Sequence, residues 1–290
     1  MRVDLGCGQI TWRGVPEESV LDDIHQAGYK GAPMSPRNER TAEDIRALYD
    51  AHGLIAAPGY LGGDFWIADR QADHLATARK FAELSHGLGL TEVYVAAGGF
   101  DAQTRSGRTR KQAVTNVTAE DKLTDAEFKQ LTDTVQAVGE ILLEKGVRAC
   151  FHNHAGTFVE TEDEVERLLA GTDPEVVFLG PDTGHLAWAG VDVIEFARRH
   201  ASRIKTMHLK DIDLAVRAEG VAAGWDYSTF EQHAIWAEIG EGGVDFATLF
   251  EILDGAGFAG WLIVETDVTQ KASPLESAKI SRANLRKYGF

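Results

Sequence analysis

The chain has 290 residues, 44% hydrophobic and 26% charged, a composition that suits a soluble globular protein with room for one large α/β barrel. A formal net charge of −16 with no dense basic run repels phosphate backbones and argues against nucleic acid as a partner. No run approaches the ~18 apolar residues of a membrane span, and the start, MRVDLGCGQI, shows no signal-peptide pattern, so a cytoplasmic protein without a membrane partner is expected.

Short β-rich runs alternate with longer amphipathic stretches almost from end to end. The expected strands are VDLGCGQI from Val3, YKGAPM from Tyr29, LIAAPGY from Leu54 and EVYVAA from Glu92. The second half adds RACFHNH from Arg148, VVFLGPD from Val176, RIKTMHLK from Arg203 and GWLIVET from Gly260. Eight such runs with helices between them predict an α/β protein, one (β/α)8 TIM barrel over residues 1–290, with no linker dividing it. Their apolar residues are continuous, as strands of a parallel barrel buried on both faces require. Cys7 and Cys150 both fall in expected strands and read as buried reduced thiols.

Helix starts are marked by Thr41 with Glu43 and Asp44, and by Thr161 ahead of an acidic first turn. A third helical pattern runs from Val244 to Gly257. Helix, then Gly, then strand recurs at Gly28, Gly53, Gly89, Gly146 and Gly257, which is αβ-turn chemistry. Two stretches exceed a minimal barrel: a polar loop over 101–122 after the fourth strand, and an aromatic loop over 213–243 after the seventh, with Trp225, Tyr227, Phe230, His233 and Trp236. Both follow the C-terminal ends of strands and so lie over the face where active sites of this fold are built. The aromatic one serves either to exclude water from the site or to contact a neighbouring subunit of a homo-oligomer.

Glu160, Asp182, His208 and Glu265 each stand at or just past the end of an expected strand. Three carboxylates and an imidazole converging there repel one another unless a cation sits between them, so a divalent metal is expected, Mn²⁺ first, with Co²⁺, Mg²⁺ and Zn²⁺ as alternatives. Asp182 also reads as a helix N-cap, and Glu160 shares its position with the helix-start acids that follow it. His152 and His154 are two apart on the fifth strand and face one side. They are candidates for binding substrate hydroxyls or moving a proton, His154 foremost, against the alternative of imidazoles bonded to backbone. His185, three past Asp182, is a candidate ligand or substrate contact. Lys210 shares the face of His208 and is placed to hold a developing oxyanion. Trp12 and Arg13 offer an apolar wall and a cation at the mouth, and Trp225 a further wall. The GxG of LGCGQ lacks the spacing of a dinucleotide fingerprint.

On these residues the chain resembles the xylose isomerase-like TIM-barrel superfamily, which includes sugar isomerases, epimerases, inosose dehydratases and an endonuclease branch. The pieces that carry the resemblance are ITWRG, FHNHAGT with TEDEVERLLAGTDP, DTGH, HLKD, and EGGVDF before FAGWLIVE; in motif detail they are nearest to the inosose dehydratases. The resemblance implies metal positions at Asp182, His208, Glu265 and Glu160, and substrate-site positions at His154 and Lys210. It departs at GYKGAPMSP, where Ala32 and Pro33 replace an expected acidic or polar residue. The leading expectation is a metal-dependent isomerase or epimerase that works through an enediolate of a sugar, keto-sugar or cyclitol, with Glu160, His154 and Lys210 as catalytic groups. The alternative is a dehydratase that expels a β-hydroxyl. Behind these stand a non-catalytic sugar-binding barrel and a DNA-repair endonuclease, the latter opposed by the charge.

Overall fold

The computed structural model describes residues 1–36 and 39–290. In chain order its strands are β1 (Arg2–Cys7), β2 (Gly31–Pro33), β3 (Ile55–Ala57), β4 (Tyr60–Gly63), β5 (Glu92–Ala97), β6 (Arg148–Phe151), β7 (Val177–Leu179), β8 (Met207–Leu209), β9 (Asp211–Ile212), β10 (Trp236–Ala237) and β11 (Ala259–Val264). All but β9 and β10 are parallel staves of one barrel, with helices packed around it, as the alternating pattern predicts.

The barrel is built from two sheets, ordered β3-β2-β1-β11-β8 and β4-β5-β6-β7. The expected third strand is cut by Pro58 and Gly59: β3 pairs with β2, and β4 pairs with β5. Proline has no N–H to continue a ladder, and a Cβ at Gly59 would stand 2.8 Å from the Met34 methyl group. On the other side the sheets meet through single bridges, Leu179 with Ile204 and Asp182 with His208. The terminal strands close the first sheet in unbroken register, from Arg2 opposite Ala259 to Cys7 opposite Val264.

Inside the barrel, Ala57, Tyr94, Trp261 and Ile263 form a small buried cluster. Large rings fit there because small residues face them. A Cβ at Gly31 would lie 2.9 Å from Trp261, and one at Gly180 would lie 2.8 Å from Tyr94. The Tyr94 hydroxyl bonds Thr206 Oγ1 at 2.6 Å, and Thr206 donates to the Trp261 carbonyl at 3.0 Å, so the interior polar atoms are paired. The main core lies between barrel and helices and includes Leu21, Ile24, Leu131, Val135, Leu168 and Leu253, all fully buried. Thr41 with Asp44 and Thr161 with Glu164 form capping boxes where the sequence marks helix starts. Cys7 and Cys150 are free and buried. No described helix is long and apolar enough to cross a membrane.

Both long insertions are more ordered than loops. Residues 213–243 form two helices, Leu214–Ala223 and Tyr227–Gln232, and return as β10, antiparallel to β9. The 101–122 stretch is tied around the buried Asp121 carboxylate, which accepts from Thr104 Oγ1, Ser106 Oγ, Arg108, and both the backbone and the hydroxyl of Thr118. Burial works to raise Asp121, but the bonds from Ser106, Thr118 and Arg108 outweigh it and hold the group well below the usual carboxylate range.

A depressed native pKa stabilises the fold above the unfolded-state value of about 4 and loses that contribution as pH falls below it. Asp121→Asn is therefore expected to cost about 3 kcal/mol at pH 7. Urea titrations should show the gap from wild type closing as the pH falls below about 4, and hydrogen exchange should rise first in 101–122.

Candidate active site

The site rests on the Tyr94 ring, whose edge meets His208 at 4.2 Å and His152 at 5.7 Å between centroids. Above it, His152, Asp182 and His208 bring one ligand atom each within 4.8 Å of one another. They come from the ends of β6, β7 and β8, and Glu265, just past β11, joins them with Oε2 3.1 Å from His208 Nδ1. Local structure fixes each group. His152 Nδ1 lies 3.2 Å from the Gly180 carbonyl, which makes it the protonated nitrogen and leaves the Nε2 lone pair toward Asp182 Oδ2 at 3.9 Å. An imidazole whose other N–H is spent on a backbone carbonyl is the usual arrangement of a metal-binding His. Asp182 divides its oxygens: Oδ1 caps the following helix by accepting from His185 N at 2.9 Å, and Oδ2 has no hydrogen-bond partner among the described residues. Neither ring nitrogen of His208 has one. Gly8 leaves space for Glu265, whose Oε1 stands 2.0 Å from where a Cβ would be. Two imidazoles and a carboxylate brought together in a buried corner, with His208 Nε2 lacking a hydrogen-bond partner among the described residues, fit a divalent cation.

Lys210 stands among these groups. Its ammonium lies 2.7 Å from Asp267, 3.1 Å from Glu265 and 3.4 Å from Asp182, and faces the Trp236 ring at 5.2 Å. Thr183 Oγ1 bonds both its backbone N–H and its carbonyl, which fixes its place. Burial disfavours the charged amine, but Asp182, Asp267 and Glu265 outweigh that and hold Lys210 well above its usual range. Burial likewise works to raise Glu265, and the charges of His208 and Lys210 override it and keep the carboxylate ionised. Asp182 is pushed up to about 6 by burial, against the pull of Lys210 and His208.

His154 and His185 stack at 3.6 Å between centroids on the outer side of Lys210. Burial pushes His154 down to about 3 and His185 well below its ordinary value, so both are neutral. His154 Nδ1 bonds the Ala155 carbonyl at 2.8 Å, which leaves Nε2 as a base. His185 Nε2 receives the Lys210 ammonium at 3.3 Å, and its Nδ1 has no hydrogen-bond partner among the described residues. Trp188, Tyr227, Phe230 and Trp236 close over this pair as a second hydrophobic core, with Val114 and Ala155.

The expected ligand Glu160 does not join the cluster. Its carboxylate accepts from Gly156 N at 2.7 Å and Thr115 N at 2.9 Å and lies 3.6 Å from the buried Arg110, itself bidentate to Glu164. The chain turns back after β6 at Gly156, φ 77°, and carries Glu160 away from the mouth. His152, expected as a substrate contact, stands at that corner instead. Three other expected contacts have partners of their own, and Trp225 packs against the aromatic core just described. Arg13 is exposed and pairs with Glu231; Trp12 is pinned to Asp23 by its indole N–H at 2.8 Å; and Trp225 stacks on His233 at 4.0 Å. In the sequence, Trp236 stands out only as part of the aromatic loop, and Asp267, Tyr94 and Tyr60 not at all. Asp267 had a signal, since it follows Glu265 at the two-residue spacing that shares a strand face.

A cleft of about 490 Å³ opens beside the site, bordered by His154, Phe100, Tyr60, Gly98, Asp64 and His74. A larger hollow of about 780 Å³ lies at the opposite end of the barrel, where β1 and β2 begin, and shares no residue with the cluster.

The description "Xylose isomerase-like TIM barrel" matches residues 14–288. The chain is 30% identical over 267 residues to the inosose dehydratase of Geobacillus kaustophilus, covering 92% of this chain and 85% of that one. Two solved structures share the fold. The Escherichia coli 3-keto-D-glucoside 4-epimerase matches with a TM-score of 0.71 at 16% identity, over 99% of this chain and all of that one. The IOLI protein, which has a bound zinc, matches with a TM-score of 0.70 at 14% identity, over 99% and 98%. The chain belongs to the xylose isomerase-like TIM barrel family and is an enzyme of it.

Proposed function

We propose that the protein is a divalent-metal-dependent dehydratase acting on a keto-inositol or keto-sugar. It removes the proton next to a carbonyl and expels the hydroxyl of the following carbon as water. The observation that carries this reading is the convergence of His152, Asp182 and His208, with Glu265 3.1 Å from His208 Nδ1, beside the Lys210 ammonium. Isomerisation and epimerisation begin with the same proton loss, so the ligand groups do not separate them from dehydration. The similarity to an inosose dehydratase along most of the chain supports dehydration over the isomerase expected first.

His152, Asp182, His208 and Glu265 would hold a divalent ion, which when bound would supply Lewis-acid stabilisation of the negative charge that develops on proton loss. Two imidazoles with two carboxylates favour Mn²⁺, Co²⁺ or Zn²⁺ over Mg²⁺. His154 Nε2 is the base that takes the proton, its tautomer set by Ala155. Lys210 turns its charge toward the developing oxyanion. The proton then passes from His154 to the departing hydroxyl, so water leaves and His154 returns to its neutral state. The aromatic cap keeps bulk water away from the intermediate.

Metal content separates the two possible ligand sets. Wild type is expected to carry about one ion per chain. His152→Ala, Asp182→Ala and Glu265→Ala should lose it, and Glu160→Ala should keep it; loss in Glu160→Ala with retention in His152→Ala would reverse the assignment.

For the chemistry, keto-inositols and keto-sugars incubated in D2O with loaded enzyme should lose one water by mass spectrometry. Product that gains deuterium without losing water would restore the isomerase reading. His154→Ala should lower kcat by about 10² to 10⁴ with its metal intact.

A further inference from the structure

Two groups of metal-binding side chains stand side by side at the mouth, and the metal position described above uses one of them. His154, His185 and Asp267 bring one ligand atom each within 4.8 Å of one another, as His152, Asp182 and His208 do. Two carboxylate oxygens face both groups. Glu265 Oε2 lies 3.1 Å from His208 Nδ1 and 3.1 Å from Lys210 Nζ. Asp182 Oδ2 lies 3.9 Å from His152 Nε2, 3.8 Å from His208 Nδ1 and 3.4 Å from Lys210 Nζ. On the far side Nζ meets the second group, 2.7 Å from Asp267 Oδ1 and 3.3 Å from His185 Nε2. The lysine stem reaches this point because Gly184 has no side chain: a Cβ there would stand 2.5 Å from Lys210 Cβ. With the Trp236 ring 5.2 Å from Nζ, the ammonium is enclosed, and Lys210 is 3% exposed. A divalent ion bound to the same atoms at about 2.0–2.2 Å would fall in the space that Nζ fills.

We propose that the Lys210 ammonium is the second cation of a two-cation site, seated among His185, Asp267, Asp182 and Glu265, and that it holds the protein to one divalent ion. The proposal rests on the metal reading above and fixes how many ions the site accepts. Two consequences follow from the geometry. A tethered cation does not dissociate, so one of the two positive centres is independent of metal supply. A second ion would also draw on His154, whose Nδ1 is already spent on the Ala155 carbonyl and whose Nε2 is its one remaining lone pair. By filling the position, Lys210 leaves that lone pair free to take a proton.

The test is cobalt content after dialysis against Co²⁺, with anomalous diffraction to place each ion. Wild type should carry about one ion per chain, with Lys210 Nζ still against Asp267 and His185. Lys210→Ala should carry about two, roughly 3.5–4 Å apart. Adding His185→Ala and Asp267→Ala to Lys210→Ala should return the content to about one, because the first position keeps its ligands. Two ions in wild type, or a folded Lys210→Ala that takes only one, would overturn the second position and leave the first standing. A wild type that takes no ion overturns both. Should Lys210→Ala fail to fold, crystals of cobalt-loaded wild type decide the matter. Nζ held by Asp267 and His185 beside a single ion supports the proposal, and Nζ withdrawn from them overturns it.

Discussion

One ammonium held among three carboxylates sets the terms for the rest of the site. Lys210 touches Asp182, Glu265 and Asp267; it, Asp182 and Asp267 are buried, and Glu265 is 12% exposed. Burying charge is costly unless geometry repays it, and much of the surrounding structure is that geometry. Thr183 grips the Lys210 backbone, Asn153 Oδ1 accepts the Asp182 N–H, and Gly8 and Gly184 give up side chains so that Glu265 and Lys210 can stand where they do. The same low-polarity setting keeps His154 and His185 neutral, which is the state a proton acceptor needs.

The cap follows from this demand for dryness. Val114 from the first insertion, Ala155 from the turn after β6, and Tyr227, Phe230 and Trp236 from the second insertion pack with Trp188 into one apolar unit. It is a second core laid over the mouth. On the β4 and β5 side a cleft opens beside His154, lined by Gly62, Gly63 and Gly98 as well as by polar groups and the rings of Tyr60 and Phe100.

Most of the barrel was legible because its signals are local. Apolar runs, threonine caps and the glycines after helices are read within a few residues, and the five marked glycines all take positive φ, from 69° to 88°. Asp182, His208 and Glu265 were legible because each ends a strand and strand ends converge. The surroundings of Glu160 were not legible, because Arg110, which it faces, lies fifty positions earlier in an insertion whose path no local rule fixes. His152 was undervalued for the converse reason: the hydrogen bond to Gly180 that frees its Nε2 crosses between strands. Asp267 was open to the same spacing argument that paired His208 with Lys210.

The barrel is joined along two lines, the break at Pro58 and Gly59 and the sparse contact between β7 and β8. Along the second line few backbone pairs tie one half to the other, and one of them links the two residues Asp182 and His208. His152 and Asp182 belong to one half, His208, Lys210 and Glu265 to the other. An occupant bound between them is therefore also a rivet, and loading the site should tighten the molecule along this join.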